Sequence, residues 1–270
     1  MSSTNRLIKN NYHTHTYLCK HATGTVEDYV VEAIKLGFDS LGMSDHAPWK
    51  DLIDQSVRMQ MSDFKIYLKE LKEAIIKYSK KIKIYKGVEI EYFHNNEKYY
   101  KALLEVLDYM TLGQHYIEMN GEFKSVFKIH SFEELTIYKN TVIEAIKTGY
   151  FKFVSHPDIF LFSQKELTPE ILGLAEEIII TAKEYDIPLE INSKGIRRGR
   201  IKVNGKMRYR YPRREFWEMV KKHNARVIIS SDAHKPELLF DEAVVHAVQF
   251  AKSLNIEVEE ELKIDTKRLY

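Results

Sequence analysis

Short apolar segments alternate with longer amphipathic segments along most of this 270-residue chain. The short segments have the length and apolar pattern of β-strands, and the longer ones repeat apolar residues at the spacing of one helix face. The first predicted strand ends near His13–His15. The other predicted strands cover 38–43, 82–91, 109–112, 151–155, 187–191 and 226–230. The predicted helices cover 25–36, 62–80, 96–107, 132–148, 169–185, 213–223 and 240–254. This alternation indicates a parallel sheet and favours a closed α/β barrel over an open doubly wound sheet.

Side chains that bind metals follow the predicted strands. His13-Thr14-His15 is an H-x-H pair whose imidazoles point to the same face of a strand. Further candidate ligands follow other apolar segments in Asp45-His46, Glu89, His115, His156-Pro157-Asp158 and Asp232-Ala233-His234. With His21 in the first loop, seven of the eleven histidines lie at strand ends or in adjoining loops. Because the carboxyl ends of barrel strands converge, we expect one polynuclear metal centre there.

Mixed imidazole and carboxylate ligands suit zinc, iron or manganese. The single cysteine, Cys19, argues against a structural thiolate zinc site. Glu89 is the candidate bridging ligand, since each of its two oxygens can serve one cation. Glu91 lies on the same strand face, and the alternative for it is an ion pair with a lysine or an arginine. Several divalent ions close together lower the pKa of a shared water and hold an anionic substrate, as in phosphoester hydrolysis.

The charge of the chain is balanced overall but uneven along its length. With 41 basic and 39 acidic residues, the net charge of +2 gives no global signature of nucleic-acid binding. The segment 194–214 nevertheless contains ten basic residues and no acidic one, which leaves −8 on the remainder of the chain. This basic segment follows the sixth predicted strand, so it opens onto the expected metal centre.

Arginine side chains of the basic segment are candidates for phosphate binding, because the planar guanidinium matches phosphate oxygens. We expect Arg197 first, and then Arg198, to reach the substrate, while most other charges form a solvated hairpin around Asn204-Gly205. Basic residues interleaved with Tyr209 and Tyr211 could also follow a nucleic-acid backbone. The acidic remainder of the chain disfavours this alternative, because it would repel a polyanion.

The sequence predicts one domain spanning residues 1–270, a length at which α/β barrels of one domain are ordinary. One cysteine excludes disulfides within the chain and favours a reducing compartment. No segment approaches the roughly 20 apolar residues that span a bilayer, and the N-terminal residues lack an apolar signal region. We therefore expect a soluble cytoplasmic protein without a membrane partner, and no feature indicates a particular oligomeric state.

The candidate ligands occur in an order that resembles the polymerase and histidinol phosphatase (PHP) superfamily, in particular its histidinol-phosphate phosphatase branch. The resemblance rests on H-x-H, S-D-H, G-V-E, G-Q-H, S-H-P-D and S-D-A-H, and covers about residues 8–255. It implies a distorted (β/α)7 barrel, similar to a TIM barrel, with a trinuclear site at the C-terminal ends of the strands. The implied ligands are His13, His15, Glu89 and Asp232 for one metal, Glu89, His115 and His156 for a second, and His21, His46 and His234 for a third. Asp45 is an alternative ligand of the third metal.

The resemblance implies hydrolysis of L-histidinol phosphate to L-histidinol and phosphate, a step of histidine biosynthesis. We expect two to three divalent ions (Zn, Fe or Mn) and attack of a metal-bridging hydroxide on a small phosphomonoester. Glu89 would be the bridging catalytic residue, and Asp232, His234 or a third metal would assist the departing alkoxide. One alternative is a PHP-type phosphoesterase or exonuclease acting on nucleotides or nucleic-acid ends. The other is a non-catalytic binding domain, which the complete ligand set disfavours.

Overall fold

The computed structural model describes residues 8–50 and 54–267. The strands are β1 (Asn10–Asn11), β2 (Ser40–Met43), β3 (Lys83–Ile90), β4 (Tyr109–Leu112), β5 (Tyr116–Met119), β6 (Glu122–Ser125), β7 (Leu189–Asn192), β8 (Arg200–Val203), β9 (Lys206–Tyr209) and β10 (Val227–Ser230). The helices are α1 (Val26–Leu36), α2 (Asp63–Tyr78), α3 (Glu97–Val106), α4 (Phe132–Lys147), α5 (Pro169–Glu184), α6 (Ser193–Arg197), α7 (Arg214–His223) and α8 (Glu242–Ser253).

The central sheet is parallel and curled, as in a TIM-like α/β fold. Strands β1, β2, β3 and β4 pair in that order, and β7 pairs with β10. Val154 forms isolated parallel bridges to Leu112 of β4 and to Leu189 of β7. Thr14 forms a further bridge to Ala233, just after β10. These bridges continue the parallel pairing around the curl, so the carboxyl ends of the strands face a common space.

Two predicted strands are shorter in the structure than in the sequence-based prediction. The strand expected over 151–155 is reduced to the single bridging residue Val154, although its neighbours still bond to β4 through Leu112 and Met110. The positive φ of His156 ends this extended segment abruptly. The strand expected to reach His13–His15 is regular only in β1, and Thr14 alone continues it. The expected number of seven strand–helix units therefore stays a prediction.

Helix α1 begins and ends where its sequence predicts. The Thr25 hydroxyl accepts a hydrogen bond from the Asp28 N–H, and the Asp28 carboxylate accepts one from the Thr25 N–H, which forms a capping box. Gly37 ends the helix with φ of 63°, a left-handed conformation that glycine adopts without steric cost.

Two hairpins and one short helix extend beyond the carboxyl ends of the strands. The first hairpin, β5–β6, follows β4, and the second, β8–β9, follows β7. Asn204 and Gly205 turn the second hairpin with φ of 48° and 79°, the left-handed pair typical of two-residue hairpin loops. Helix α6 begins directly after β7, and the sequence analysis did not predict it.

Tyrosine side chains fill the interior below the strand ends. Tyr12, Tyr85, Tyr109 and Phe153 belong to one buried cluster, separate from the larger core beneath the helices. A Cβ at Gly87 would lie 2.3 Å from the Tyr109 ring, so glycine makes room for it. This packed layer closes the interior, so the polar groups above it lie at the open end. None of the described helices is long and apolar enough to cross a membrane.

Candidate metal centre

Glu89, near the end of β3, lies among five imidazoles. Its side chain is 1% exposed, and each carboxylate oxygen faces at least two histidines. The Oε2 contacts are His46 Nδ1 at 3.1 Å, His13 Nε2 at 3.3 Å and His15 Nε2 at 3.5 Å. The Oε1 contacts are His156 Nε2 at 2.8 Å and His115 Nε2 at 3.6 Å. Each oxygen of this carboxylate can therefore serve a different cation.

The remaining candidate ligands join the same cluster from β10 and from the first loop. Asp232 Oδ1 lies 3.1 Å from His15 Nε2 and 3.8 Å from His13 Nε2. The Nε2 atoms of His21 and His234 lie 2.9 Å apart. The structure thus brings all nine predicted ligand residues together, from segments that lie up to about 220 residues apart in the sequence.

Several polar atoms in the cluster are buried without a hydrogen-bond partner among the described residues. They are His13 Nε2, His15 Nδ1 and Nε2, His156 Nδ1 and Asp232 Oδ1. His15 Nε2 and Asp232 Oδ1 are close to each other, at 3.1 Å, but do not form a hydrogen bond. A buried polar atom without a partner is costly, and these atoms can serve as ligands. Four sets of three side chains have ligand atoms within 4.8 Å of one another: His13, His15 and Asp232; His13, Glu89 and His156; His15, His46 and Glu89; and His21, His46 and His234. These donors fit divalent metal ions with mixed nitrogen and oxygen ligation.

Cys19 lies close enough to His15 and His234 to form a further possible set of ligands. Its thiol donates a hydrogen bond to the Thr16 carbonyl at 3.1 Å, and burial raises the pKa of the thiol. Because metals bind the thiolate, the raised pKa makes this set less favourable than the sets of imidazoles and carboxylates.

Burial and neighbouring charges act in opposite directions on the candidate ligands. Nearby carboxylates outweigh burial and raise the pKa of His13 and of His15. Burial is the largest cause that lowers the pKa of His46 and His156, and together with His15 it lowers the pKa of His234 to about 3. Burial alone would raise the pKa of Glu89, but the surrounding imidazoles outweigh it and hold this pKa well below its usual range. Neutral imidazoles and an ionised carboxylate are the forms that bind metals.

Glu190 supports the cluster from β7, and the sequence analysis missed it. Its carboxylate accepts hydrogen bonds from His13 Nδ1 at 2.8 Å and from the His156 N–H at 3.0 Å. Asn192 Nδ2 donates to Glu190 at 2.8 Å and to Asp232 Oδ2 at 3.1 Å. Such a carboxylate fixes the histidine tautomer and leaves Nε2 free for a metal. The sequence signal that could have identified Glu190 is an acidic residue within an otherwise apolar predicted strand.

Glu91 pairs with an arginine, which was one of the two alternatives that the sequence left open. Arg58 donates to its two oxygens at 3.1 and 3.0 Å, and Trp49 Nε1 donates at 3.1 Å. Both charged side chains are 1% exposed. His115 Nδ1 lies 3.2 Å from Glu91 Oε1, so Glu91 orients this imidazole with Nε2 towards Glu89. Arg58 and His115 outweigh burial and lower the pKa of Glu91 to about 2.

The backbone is strained at two candidate ligands. His156 and Asp232 have φ of 35° and 46°, in the left-handed region that side chains other than glycine rarely adopt. Gly113 has a different role, because a Cβ there would lie 2.1 Å from Glu89 Oε1. Strained residues and close approaches of this kind concentrate at functional sites.

The PHP domain family matches residues 11–194 of the chain. The chain belongs to this family. A histidinol-phosphatase of Bacillus subtilis is 24% identical over 224 residues, which cover 70% of this chain and 82% of the relative. A Deinococcus radiodurans protein named "Probable histidinol-phosphatase" is 24% identical over 234 residues, which cover 83% and 85%. The crystal structure of a Lactococcus lactis histidinol phosphate phosphatase, complexed with zinc, L-histidinol and phosphate, has a TM-score of 0.70 at 15% identity and covers 96% and 99%.

In this PHP protein, a cleft of about 300 Å³ opens above the candidate ligands. Its lining includes Lys194 and Arg198, which lie one helical turn apart at α6. Lys194 Nζ lies 2.9 Å from His234 Nε2 and 3.6 Å from Asp232 Oδ1. The Arg198 guanidinium lies 5.2 Å from the centre of the Phe127 ring. Two cationic side chains are thus available next to the ligands.

The structure places Arg197, which the sequence predicts to be the first substrate-binding arginine, outside the cleft. Arg197 does not line the cleft, and it binds Asp241 through Nε at 2.6 Å and Nη2 at 3.1 Å. Its Nη1 also donates to the Ser231 carbonyl at 3.1 Å. The reason is helix geometry, since α6 turns residues 194 and 198 towards the cleft and residue 197 towards the start of α8. The local sequence predicts a loop here, and Lys194 is not among the predicted substrate-binding residues.

Other arginines of this PHP protein's basic segment contact backbone carbonyls or an aromatic ring of the same chain. Arg208 donates to the carbonyls of Gln164 and Lys165 at 2.8 and 3.1 Å, and Arg213 donates to Gln164 O at 2.9 Å. The Arg210 guanidinium lies 4.7 Å from the centre of the Phe162 ring. These contacts hold the second hairpin against the chain and leave fewer cations for an external polyanion.

Proposed function

We propose that this PHP protein is a metal-dependent phosphomonoester hydrolase that converts L-histidinol phosphate to L-histidinol and phosphate, as in histidine biosynthesis. The observation that carries the proposal is the arrangement around Glu89, where five imidazoles surround one buried carboxylate next to a small cationic cleft. The names of the relatives support the choice of substrate. The proposal treats residues 1–270 as one phosphoesterase domain.

The proposed metal ligands are the three groups that the resemblance to the PHP superfamily implies. One ion is held by His13, His15, Glu89 and Asp232, a second by Glu89, His115 and His156, and a third by His21, His46 and His234. We propose two to three zinc, iron or manganese ions, and the zinc in the Lactococcus lactis structure supports the first of these. When bound, such ions lower the pKa of a water and neutralise charge on the phosphoryl group.

The side chains around the ligands bind the phosphoryl group and orient the imidazoles. Lys194 and Arg198 bind phosphoryl oxygens from the wall of the cleft. Glu190 and Glu91 hold the imidazoles of His13 and His115 in one tautomer. The packed layer of tyrosines lies at the bottom of the site, and substrate enters from the cleft.

We assign assistance to the departing alkoxide to Lys194, in place of the predicted acids Asp232 and His234. Lys194 and His13 outweigh burial and hold the pKa of Asp232 well below its usual range, and the pKa of His234 is about 3. Neither group therefore carries a proton at neutral pH in the described arrangement, and both serve the proposal as ligands. The Lys194 ammonium contacts both of them and is the proposed group that stabilises the leaving oxygen.

The first experiment is phosphate release by purified, metal-analysed protein. The substrates are L-histidinol phosphate, nucleoside monophosphates, p-nitrophenyl phosphate and a short single-stranded DNA. A strong preference for L-histidinol phosphate, with two to three metal ions per chain, supports the proposal. Release from nucleotides or DNA ends, with L-histidinol phosphate inert, overturns the substrate and favours the nuclease alternative.

The role of Glu89 has its own test. Glu89→Gln keeps the shape of the side chain but removes its charge, so turnover and bound metal should both be lost. Glu73→Gln, on the exposed face of α2, is the matched control and should change neither. Wild-type turnover in Glu89→Gln would show that the bridging role is wrong.

A further inference from the structure

One acidic side chain of the cleft has no place in the proposed chemistry. Of the described residues that line the cleft, Asp54 and Asp232 are the acidic ones, and Asp232 belongs to the ligand cluster. Asp54 lies in the loop after β2, whereas Lys194 and Arg198 come from the segment after β7. The cleft therefore presents Lys194 and Arg198 from one segment and Asp54 from another, where the neighbouring Arg58 is paired with Glu91. This arrangement suits a substrate with charges of both signs.

The Asp54 carboxylate is held by hydrogen bonds from its own turn and from Tyr116. Its oxygens accept hydrogen bonds from the Ser56 N–H at 3.1 Å and from the Tyr116 hydroxyl at 3.3 Å. The Ser56 hydroxyl is the largest cause that lowers the pKa of Asp54, and burial opposes it. In the part of the chain that the structure describes, no lysine or arginine forms an ion pair with Asp54. The charge of Arg58 also contributes to lowering this pKa, but its guanidinium forms its ion pair with Glu91.

A chain of contacts holds this carboxylate at a fixed position relative to the candidate ligands. Asp54 caps the short 3-10 turn Gln55–Val57, and its carbonyl accepts a hydrogen bond from Arg58 Nε at 3.1 Å. The same guanidinium binds Glu91, and Glu91 orients His115. On the other side, Tyr116 directly follows His115 in the chain. The negative charge is therefore preorganised for binding, which reduces the entropic cost of holding a ligand group.

We propose that Asp54 binds a cationic group at the end of the substrate away from the phosphoryl group, so that the site selects phosphomonoesters that carry an ammonium or imidazolium. This inference rests on the proposed function and names the residue that would distinguish such a substrate from a nucleotide. Tyr116, Phe127 and Tyr211 also line the cleft. The rings of Tyr116 and Phe127 already lie 5.9 and 5.2 Å from the guanidinium groups of Arg58 and Arg198, so Asp54 is the group that carries the proposal. A second anionic group in place of the cation would be repelled by Asp54.

The test compares two pairs of substrates in metal-loaded enzyme. The pairs are 4-aminobutyl phosphate with butyl phosphate, and L-histidinol phosphate with p-nitrophenyl phosphate. We expect Asp54→Asn to lower kcat/KM for the two cationic substrates about 10- to 100-fold, mainly through KM, as for loss of a charge-assisted hydrogen bond. The two substrates without a cation should be unaffected. Asp39→Asn, at an exposed position just before β2, is the matched control and should behave as wild type.

A charge reversal excludes misfolding as the explanation. Asp54→Lys should turn the preference towards phosphomonoesters that carry a carboxylate, such as 3-phosphoglycerate, and a misfolded protein cannot gain this preference. An equal loss on both members of a pair, or no loss on either, would overturn the role of Asp54. If L-histidinol phosphate is inert but 4-aminobutyl phosphate is still preferred through Asp54, the proposed substrate fails and the cation site stands.

Discussion

A methyl group at position 113 would enter the space that the Glu89 side chain occupies. An alanine Cβ there would lie 2.1 Å from Glu89 Oε1 and 2.4 Å from both Cδ and Cγ. Non-bonded carbon atoms pack at about 3.5–4.0 Å, so the glutamate must move by at least about 1 Å. The backbone of Gly113 is not in the left-handed region, so alanine adds no conformational strain. The predicted effect of Gly113→Ala is therefore displacement of one carboxylate.

The size of the effect follows from this displacement. A shift of about 1 Å in a catalytic group can cost about 100-fold in rate, and we expect kcat to fall by that order. Overpacking a closed site costs about 1–3 kcal/mol, so the free energy of unfolding should decrease by that amount. Because all five neighbouring imidazoles face Glu89, the number of bound metal ions should decrease as well.

Three measurements check this prediction: phosphate release, metal content after dialysis, and urea unfolding. Gly173→Ala, in α5, is the matched control, because a Cβ there meets no atom within 4 Å. It should keep metal and activity and gain about 0.5–1 kcal/mol of stability. In a Glu89→Ala background, Gly113→Ala should cost no stability, since the clash is gone. Unchanged metal content and turnover in Gly113→Ala would refute the reasoning.

Three further substitutions probe other contacts of the site. Glu190→Gln should weaken metal binding about 10- to 100-fold, because it removes the carboxylate that holds His13; metal titration with unaltered affinity would contradict this. Arg197→Ala should lower the urea midpoint and leave KM unchanged, because it breaks the pair with Asp241; a raised KM at unchanged stability would restore the sequence-based role. His234→Gln should flatten the pH dependence of stability in metal-free protein. Burial lowers the pKa of His234 to about 3 in the folded chain, against 6.5 for an exposed histidine. Between these values the unfolded chain binds more protons than the folded chain, so the folded state loses stability as pH falls through this range. Urea unfolding at several pH values measures this dependence.

Local sequence signals predicted the main strands and all the helices of ten or more residues, but not the five-residue helix α6. The capping residues Thr25 and Gly37 place α1 to within one residue, because the interactions that end a helix lie within a few positions of it. The segment 151–155 was less predictable. Its apolar residues indicate a strand, but whether the ladder continues depends on β4 and β7, which are distant in sequence.

The candidate ligands could be found from sequence because they follow strand ends, where the fold must bring them together. Their supporting residues were harder to find. Glu190 resembles any acidic residue in a strand until His13 is seen beside it, 177 positions earlier in the chain. Arg197 was chosen over Lys194 because the segment was treated as a loop, whereas the five-residue helix α6 decides which side chains face the cleft. Such choices depend on tertiary contacts that no local pattern records.

At His156 and Asp232 the left-handed backbone lowers the stability of the fold, while the side chains are proposed metal ligands. Holding a residue other than glycine in this conformation costs on the order of 1–3 kcal/mol. Glycine at either position would release that strain and remove a proposed ligand in the same step. A selection for heat resistance alone, carried out without an activity assay, would therefore enrich variants with higher thermal stability and no catalytic activity.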